Sequence, residues 1–154
     1  MSDALFDYSM LNAQAMALLD GEPNFLANCA NVSALLFMEL ENVNWAGVYL
    51  MTEGELVVGP FQGKPACTRI ALGKGVCGTA AQTRETQIID NVHEFDGHIA
   101  CDGASNSEIV LPIMRNGELL GVLDIDSPEF GRFSKYDAEG LQILVDNLVA
   151  ASDA

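Results

Sequence analysis

Residues 107–127, SEIVLPIMRNGELLGVLDIDS, decide the fold. Two β-rich runs, 107–114 and 118–127, flank Arg115-Asn116-Gly117. Asn-Gly is the strongest short hairpin signal, because a two-residue turn of the favoured type needs positive φ at both central positions. Within the second run, Val122-Leu123-Asp124-Ile125-Asp126 alternates. Asp124 and Asp126 therefore share one face of a strand, and Leu123 and Ile125 share the other. Glu108 opens the partner strand near the same end as Asp126. Two acids on one face of a central strand are costly unless a ligand, a water or a proton compensates. An exposed edge face is the simpler alternative.

Working outward, the same grammar repeats. A first hairpin runs through 45–51 and 55–61 around Glu53-Gly54, followed by a short strand at 68–72. Residues 75–82 allow two helical turns, 87–90 return to β, and 92–106 form a polar loop. Before the first hairpin lie two helices. One covers 9–19, with Ser9 as N-cap and Met10, Ala13, Met16, Ala17 and Leu19 as its apolar set. Gly21-Glu22-Pro23 interrupts, and Pro23 suits the first turn of the next helix. That helix carries a stripe of Phe25, Cys29, Val32, Leu36 and Leu40, in which Cys29 acts as a small hydrophobe. After Pro128, Ser134 caps a closing helix with Leu141, Leu144, Val145 and Leu148 on its apolar face. The expected class is α+β: a central, mainly antiparallel six-stranded sheet, N- and C-terminal helices packed on one face and a small-ligand pocket on the other. Residues 1–154 are expected to form one domain.

Composition narrows the partners. With 22 acidic against 7 basic side chains, the formal charge is −15, which repels nucleic acid and anionic lipid. No apolar run reaches the roughly 18–20 residues of a membrane span. The first residues, MSDALFDYSM, are acidic where a signal peptide is basic, so a cytoplasmic location is expected. In that reducing compartment the four cysteines are reactive or buried rather than stapled.

Gly73-Lys74-Gly75-Val76-Cys77-Gly78 matches the dinucleotide pattern G-x-G-x-x-G, with Asp90 at a suitable distance. The helix that follows is too short to cross over a parallel sheet, so the glycines are read as a tight turn. Cys67 and Cys101 sit in connecting segments, where chemistry concentrates. Three chemistries stay open: a zinc site completed by His93 and His98, an acyl-transfer pair of Cys101 with His98, and a redox pair passing through sulfenic acid to a disulfide. On the first strand Trp45, Gly47 and Tyr49 share a face and offer aromatic walls for a small polar ligand.

Nearly the whole chain resembles the free methionine-(R)-sulfoxide reductases built on a GAF domain. The resemblance rests on Asn44-Trp45-Ala46-Gly47-Val48-Tyr49, on the run from Gly59 through Pro65-Ala66-Cys67, and on the Gly73–Gly78 motif. His98-Ile99-Ala100-Cys101-Asp102, Ser107-Glu108-Ile109-Val110-Leu111-Pro112 and Gly121-Val122-Leu123-Asp124-Ile125-Asp126-Ser127 complete it. It implies Cys101 as nucleophile, Cys67 as the resolving cysteine and Cys77 as the family's third cysteine. It further implies that Glu108 and Asp126 polarise the sulfoxide with support from Asp124, and that Trp45 and Tyr49 receive its methyl end. No cofactor or metal is implied; thioredoxin is the implied reductant and a homodimer the implied assembly. A non-catalytic GAF sensor of a small molecule is the rival reading.

Overall fold

The 107–127 segment forms the hairpin its turn predicts. β5 (Ser107–Arg115) and β6 (Glu118–Ser127) pair antiparallel, with Arg115 opposite Glu118 across Asn116 (φ 50°) and Gly117 (φ 81°). The structure, a computed structural model, describes residues 5–97 and 103–153. Around the hairpin stand β1 (Trp45–Thr52), β2 (Glu55–Gly63), β3 (Arg69–Ala71) and β4 (Gln87–Ile89). They complete a six-stranded antiparallel sheet in the order β3-β2-β1-β6-β5-β4. The helices among the described residues are α1 (Tyr8–Leu19), α2 (Phe25–Glu39), α3 (Gly75–Thr83) and α4 (Lys135–Ala151), with a 3-10 turn at Val92–Glu94.

Strand alternation divides the sheet into two chemically different faces. Ala46, Val48, Ile109, Leu111, Ile113, Leu123 and Ile125 point to one side, where α1, α2 and α4 bury their own apolar stripes against them. Trp45, Tyr49, Val110 and Val122 point to the other, where the short α3 packs on them with Val76, Cys77, Ala80 and Ala81, joined by Ile70 of β3. The first face is thus a conventional core. The second carries a pocket beside α3.

Two helix boundaries differ from expectation. Asp7, not Ser9, caps α1 by accepting from the Met10 amide. Its buried face is Tyr8, Leu11, Asn12, Ala15 and Leu19, while Met10 and Met16 are exposed. Tyr8 sets this phase, since its hydroxyl donates to the buried Asp137 of α4 at 2.6 Å. Likewise Asn24, not a first-turn Pro23, starts α2, by accepting from the Ala27 amide at 2.9 Å. Pro23 precedes the cap, and its carbonyl accepts from Asp153. Ser134 and Asp137 form the expected start of α4 as a reciprocal capping box. Cys29 is fully buried and burial pushes its thiol up to about 12, consistent with a packing role.

Gly121 shows how closely the central strands approach. A Cβ there would lie 2.1 Å from the Tyr49 carbonyl oxygen on β1, a backbone atom that cannot swing aside. Gly121→Ala should therefore cost about 3 kcal/mol of stability. In urea unfolding, the midpoint is expected to fall with little change in slope; an unchanged midpoint would contradict the close approach.

Candidate active site

The register of β1, β6 and β5 assembles the pocket floor. Trp45 lies opposite Asp126, and Asp126 opposite Glu108, so the three residues form one transverse row. The next row on that face is Gly47, Asp124 and Val110. These are central strands, so the exposed-edge alternative for the acids fails: Glu108 is 7% and Asp124 5% exposed. The pocket above them is lined by Trp45, Tyr49, Cys77, Ser105 and the acids Glu108, Asp124 and Asp126 among others, and its empty space, mouth included, is about 540 Å³.

Aromatic packing forms one wall. Trp45 stacks between Tyr49 and Phe61, with ring centroids 5.7 and 5.1 Å away, and its indole N–H donates to the Lys64 carbonyl at 3.1 Å. Gly47 leaves room for this stack, because a Cβ there would sit 2.3 Å from the Phe61 Cβ. Opposite, the first turn of α3 brings Cys77 down onto the acids, its thiol donating to Glu108 Oε2 at 3.8 Å.

Such crowding governs protonation. Burial pushes the Glu108 carboxyl well above its ordinary 4.5, and the charges of Asp124 and Asp126 push it further. Burial raises Asp124 as well, although hydrogen-bonding contacts with Glu108, Cys77 and Asp126 pull it partly back. Asp124 Oδ1 is buried with no hydrogen-bond partner among the described residues. Burial first, and then the three carboxylates, hold the Cys77 thiol well above 9.0. The crowding therefore favours the protonated forms of Glu108 and Asp124, which stand against apolar and aromatic walls. It can protonate a bound oxygen, and its ionised members can receive an ammonium group.

The structure brings together Trp45, Tyr49, Cys77, Glu108, Asp124 and Asp126 from the expected set. Cys67 is half-buried in the connection to β3 and is disulfide-bonded, whereas Cys29 and Cys77 are free thiols. Cys101, His98 and Asp102 lie outside the described residues. His93 is not part of the pocket lining; it is exposed, with its Nε2 2.8 Å from Asn106 Oδ1. The glycine motif is the tight turn expected of it, closed by the Gly73 amide donating to the Gly78 carbonyl at 2.8 Å. Ser105 was not singled out by sequence, yet it is buried in the lining, and its Oγ accepts from Asn44 Nδ2 at 3.1 Å. Its place in a polar loop just before β5 was the only local signal. Among the described residues no helix is long and apolar enough to cross a membrane.

Comparison with known proteins adds kinship to this geometry. The GAF domain family profile matches residues 15–152. The chain is 57% identical to the free methionine-R-sulfoxide reductase of Escherichia coli over 92% of its own length and 86% of that protein's. It also superimposes on the fRMsr of Staphylococcus aureus in complex with substrate, with TM-score 0.92 and 45% identity, covering 98% of this chain and 99% of that one. A Burkholderia vietnamiensis protein described as a GAF sensor is 55% identical, with TM-score 0.91, over 94% of this chain and 92% of that one.

Proposed function

This chain belongs to the GAF-domain free methionine-(R)-sulfoxide reductases, and from that premise we propose that it reduces free L-methionine-(R)-sulfoxide to L-methionine by a thiol mechanism. The observation that carries the reading is the acid cluster of buried Glu108 and Asp124 with half-buried Asp126, which lines one pocket with Trp45 and Tyr49. Sulfoxide reduction needs an apolar seat for the methyl group and a proton for the oxygen, and these residues offer both. The sulfoxide oxygen takes its proton from Glu108 while the Cys101 thiolate bonds to the substrate sulfur. The oxygen then passes to Cys101, leaving methionine and a cysteine sulfenic acid. Cys67 attacks that sulfenic sulfur, a water molecule leaves with the oxygen, and a Cys67–Cys101 disulfide remains. Two thiols have given up two electrons and two protons, which balances the sulfoxide becoming sulfide and water. That Cys67 is disulfide-bonded and Cys77 a free thiol supports this division of labour.

Asp126 and Asp124 hold the substrate's ammonium end in this reading, which disfavours a methionine sulfoxide within a peptide, whose amide nitrogen carries no charge. Recycling falls to an external dithiol protein of the thioredoxin class, by thiol exchange. The chain is proposed to act in the cytoplasm as a homodimer, with residues 1–154 as one catalytic domain and no resident cofactor. The likeness to a protein described as a GAF sensor favours one other reading, a binding pocket without turnover.

Single-turnover reduction of L-methionine-(R)-sulfoxide by the pre-reduced chain, without added reductant, separates the two readings. About one methionine formed and about two thiols lost per chain are expected. Binding of the sulfoxide with neither methionine formed nor thiols lost would leave the sensor.

A further inference from the structure

Cys77, Glu108 and Asp124 converge from three separate elements, α3, β5 and β6. Each offers one donor atom, and the three atoms lie within 4.8 Å of one another in buried surroundings. The Cys77 Sγ and Glu108 Oε2 are already 3.8 Å apart. Independently, the Asp124 carboxyl is 5% exposed, lines the pocket and has its Oδ1 without a hydrogen-bond partner among the described residues. Proton transfer to a sulfoxide explains the carboxyls. It gives no task to a free thiol aimed at them.

We propose that Cys77, Glu108 and Asp124 form a site for a divalent cation of the zinc class, and that filling it shuts off sulfoxide reduction. One sulfur and two carboxylate oxygens match the borderline-soft preference of zinc and cobalt, whereas magnesium and calcium demand larger all-oxygen shells. Zinc distances of about 2.3 Å to sulfur and about 2.0–2.2 Å to oxygen require the donors to draw together by side-chain rotation. A fourth position then faces the pocket, beside Asp126. Binding deprotonates a coordinating thiol outright. The Cys77 proton and any carboxyl proton pass to solvent, and no electron moves. Thiolate and two carboxylates against a dication leave one net negative charge, a smaller burden than three bare anions. The occupied site removes the proton donor and fills the space beside the aromatic wall. Cation binding stands on geometry alone; the inhibitory half rests on the reductase reading.

The test titrates the pre-reduced full chain anaerobically with cobalt, then displaces it with zinc. One equivalent of cobalt should give a thiolate-to-metal charge-transfer band, displaced by zinc and not by magnesium. Cys77→Ser should lose the band and bind zinc at least about tenfold more weakly. The double variant Cys67→Ser, Cys101→Ser should keep both band and affinity. Glu108→Gln, which retains the thiol, should weaken zinc by at least about tenfold and stands in if Cys77→Ser misfolds. Absence of a band, a band surviving Cys77→Ser, or a band lost in the double variant would overturn the site. Saturating zinc should abolish single-turnover methionine formation, and full turnover with the site filled would overturn the inhibition. A chain that binds cobalt through Cys77 but makes no methionine without metal would instead reject the reductase reading.

Discussion

Cys101→Ser is expected to lower methionine formation by at least about 10⁴-fold, to the uncatalysed level. A serine hydroxyl is hardly ionised at neutral pH and is a poor nucleophile toward sulfur, so the first bond never forms. The contrast with the other cysteines makes the prediction specific. Cys67→Ser should still form about one methionine per chain in the first turnover and then stall as a sulfenic acid, because only the resolving step is lost. Cys77→Ser should leave the first turnover in place, since burial and three neighbouring carboxylates keep that thiol protonated. Stopped-flow detection of methionine together with trapping of sulfenic acid by a diketone probe checks all three variants. Full first-turnover activity in Cys101→Ser would transfer the nucleophile to another cysteine.

Glu108→Gln should reduce the rate of sulfenic acid formation by about 10²–10⁴-fold, the range for loss of a positioned general acid. The isosteric amide keeps the shape of the pocket and removes the proton. In the unaltered chain, the rate should decline as pH rises through the raised Glu108 range, because the ionised carboxylate no longer donates. Stability carries a matching signature. A carboxyl raised above its ordinary 4.5 binds its proton more tightly folded than unfolded. Its contribution is full below about 4.5 and is lost as pH rises through the folded value. Glu108→Gln should accordingly melt higher than the unaltered chain at pH 8, with the gap closing near pH 4. A variant that is slower but no more stable at pH 8 would mean that Glu108 is not held against its ionisation.

Much of this architecture was legible residue by residue. Asn116-Gly117 gave the β5–β6 turn, and period-two alternation put Asp124 and Asp126 on one face, because both are properties of a few adjacent residues. The stripe through Cys29, Val32 and Leu36 likewise predicted a buried helix face. Helix α1 misled for a physical reason. It is apolar nearly all round, so its sequence carried little phase information, and the Tyr8–Asp137 hydrogen bond to a distant helix chose the buried side. Caps fell one or two residues from expectation because Asp7 and Asn24 compete with Ser9 and Pro23 for the same helix starts.

The candidate site divides along the same line. The sequence by itself determined which acids, aromatics and cysteines the chain carries, which side of each strand they occupy and, by kinship, their family. Only the tertiary structure decided that Glu108 stands opposite Asp126, that both belong to central strands, and that Cys77 descends on them from α3. Local patterning records the direction of a side chain, whereas burial and proton affinity depend on what distant segments pack above it. Asp124, read with Asp126 as a possible surface acid, lies buried under α3, and that burial raises its carboxyl above the ordinary range.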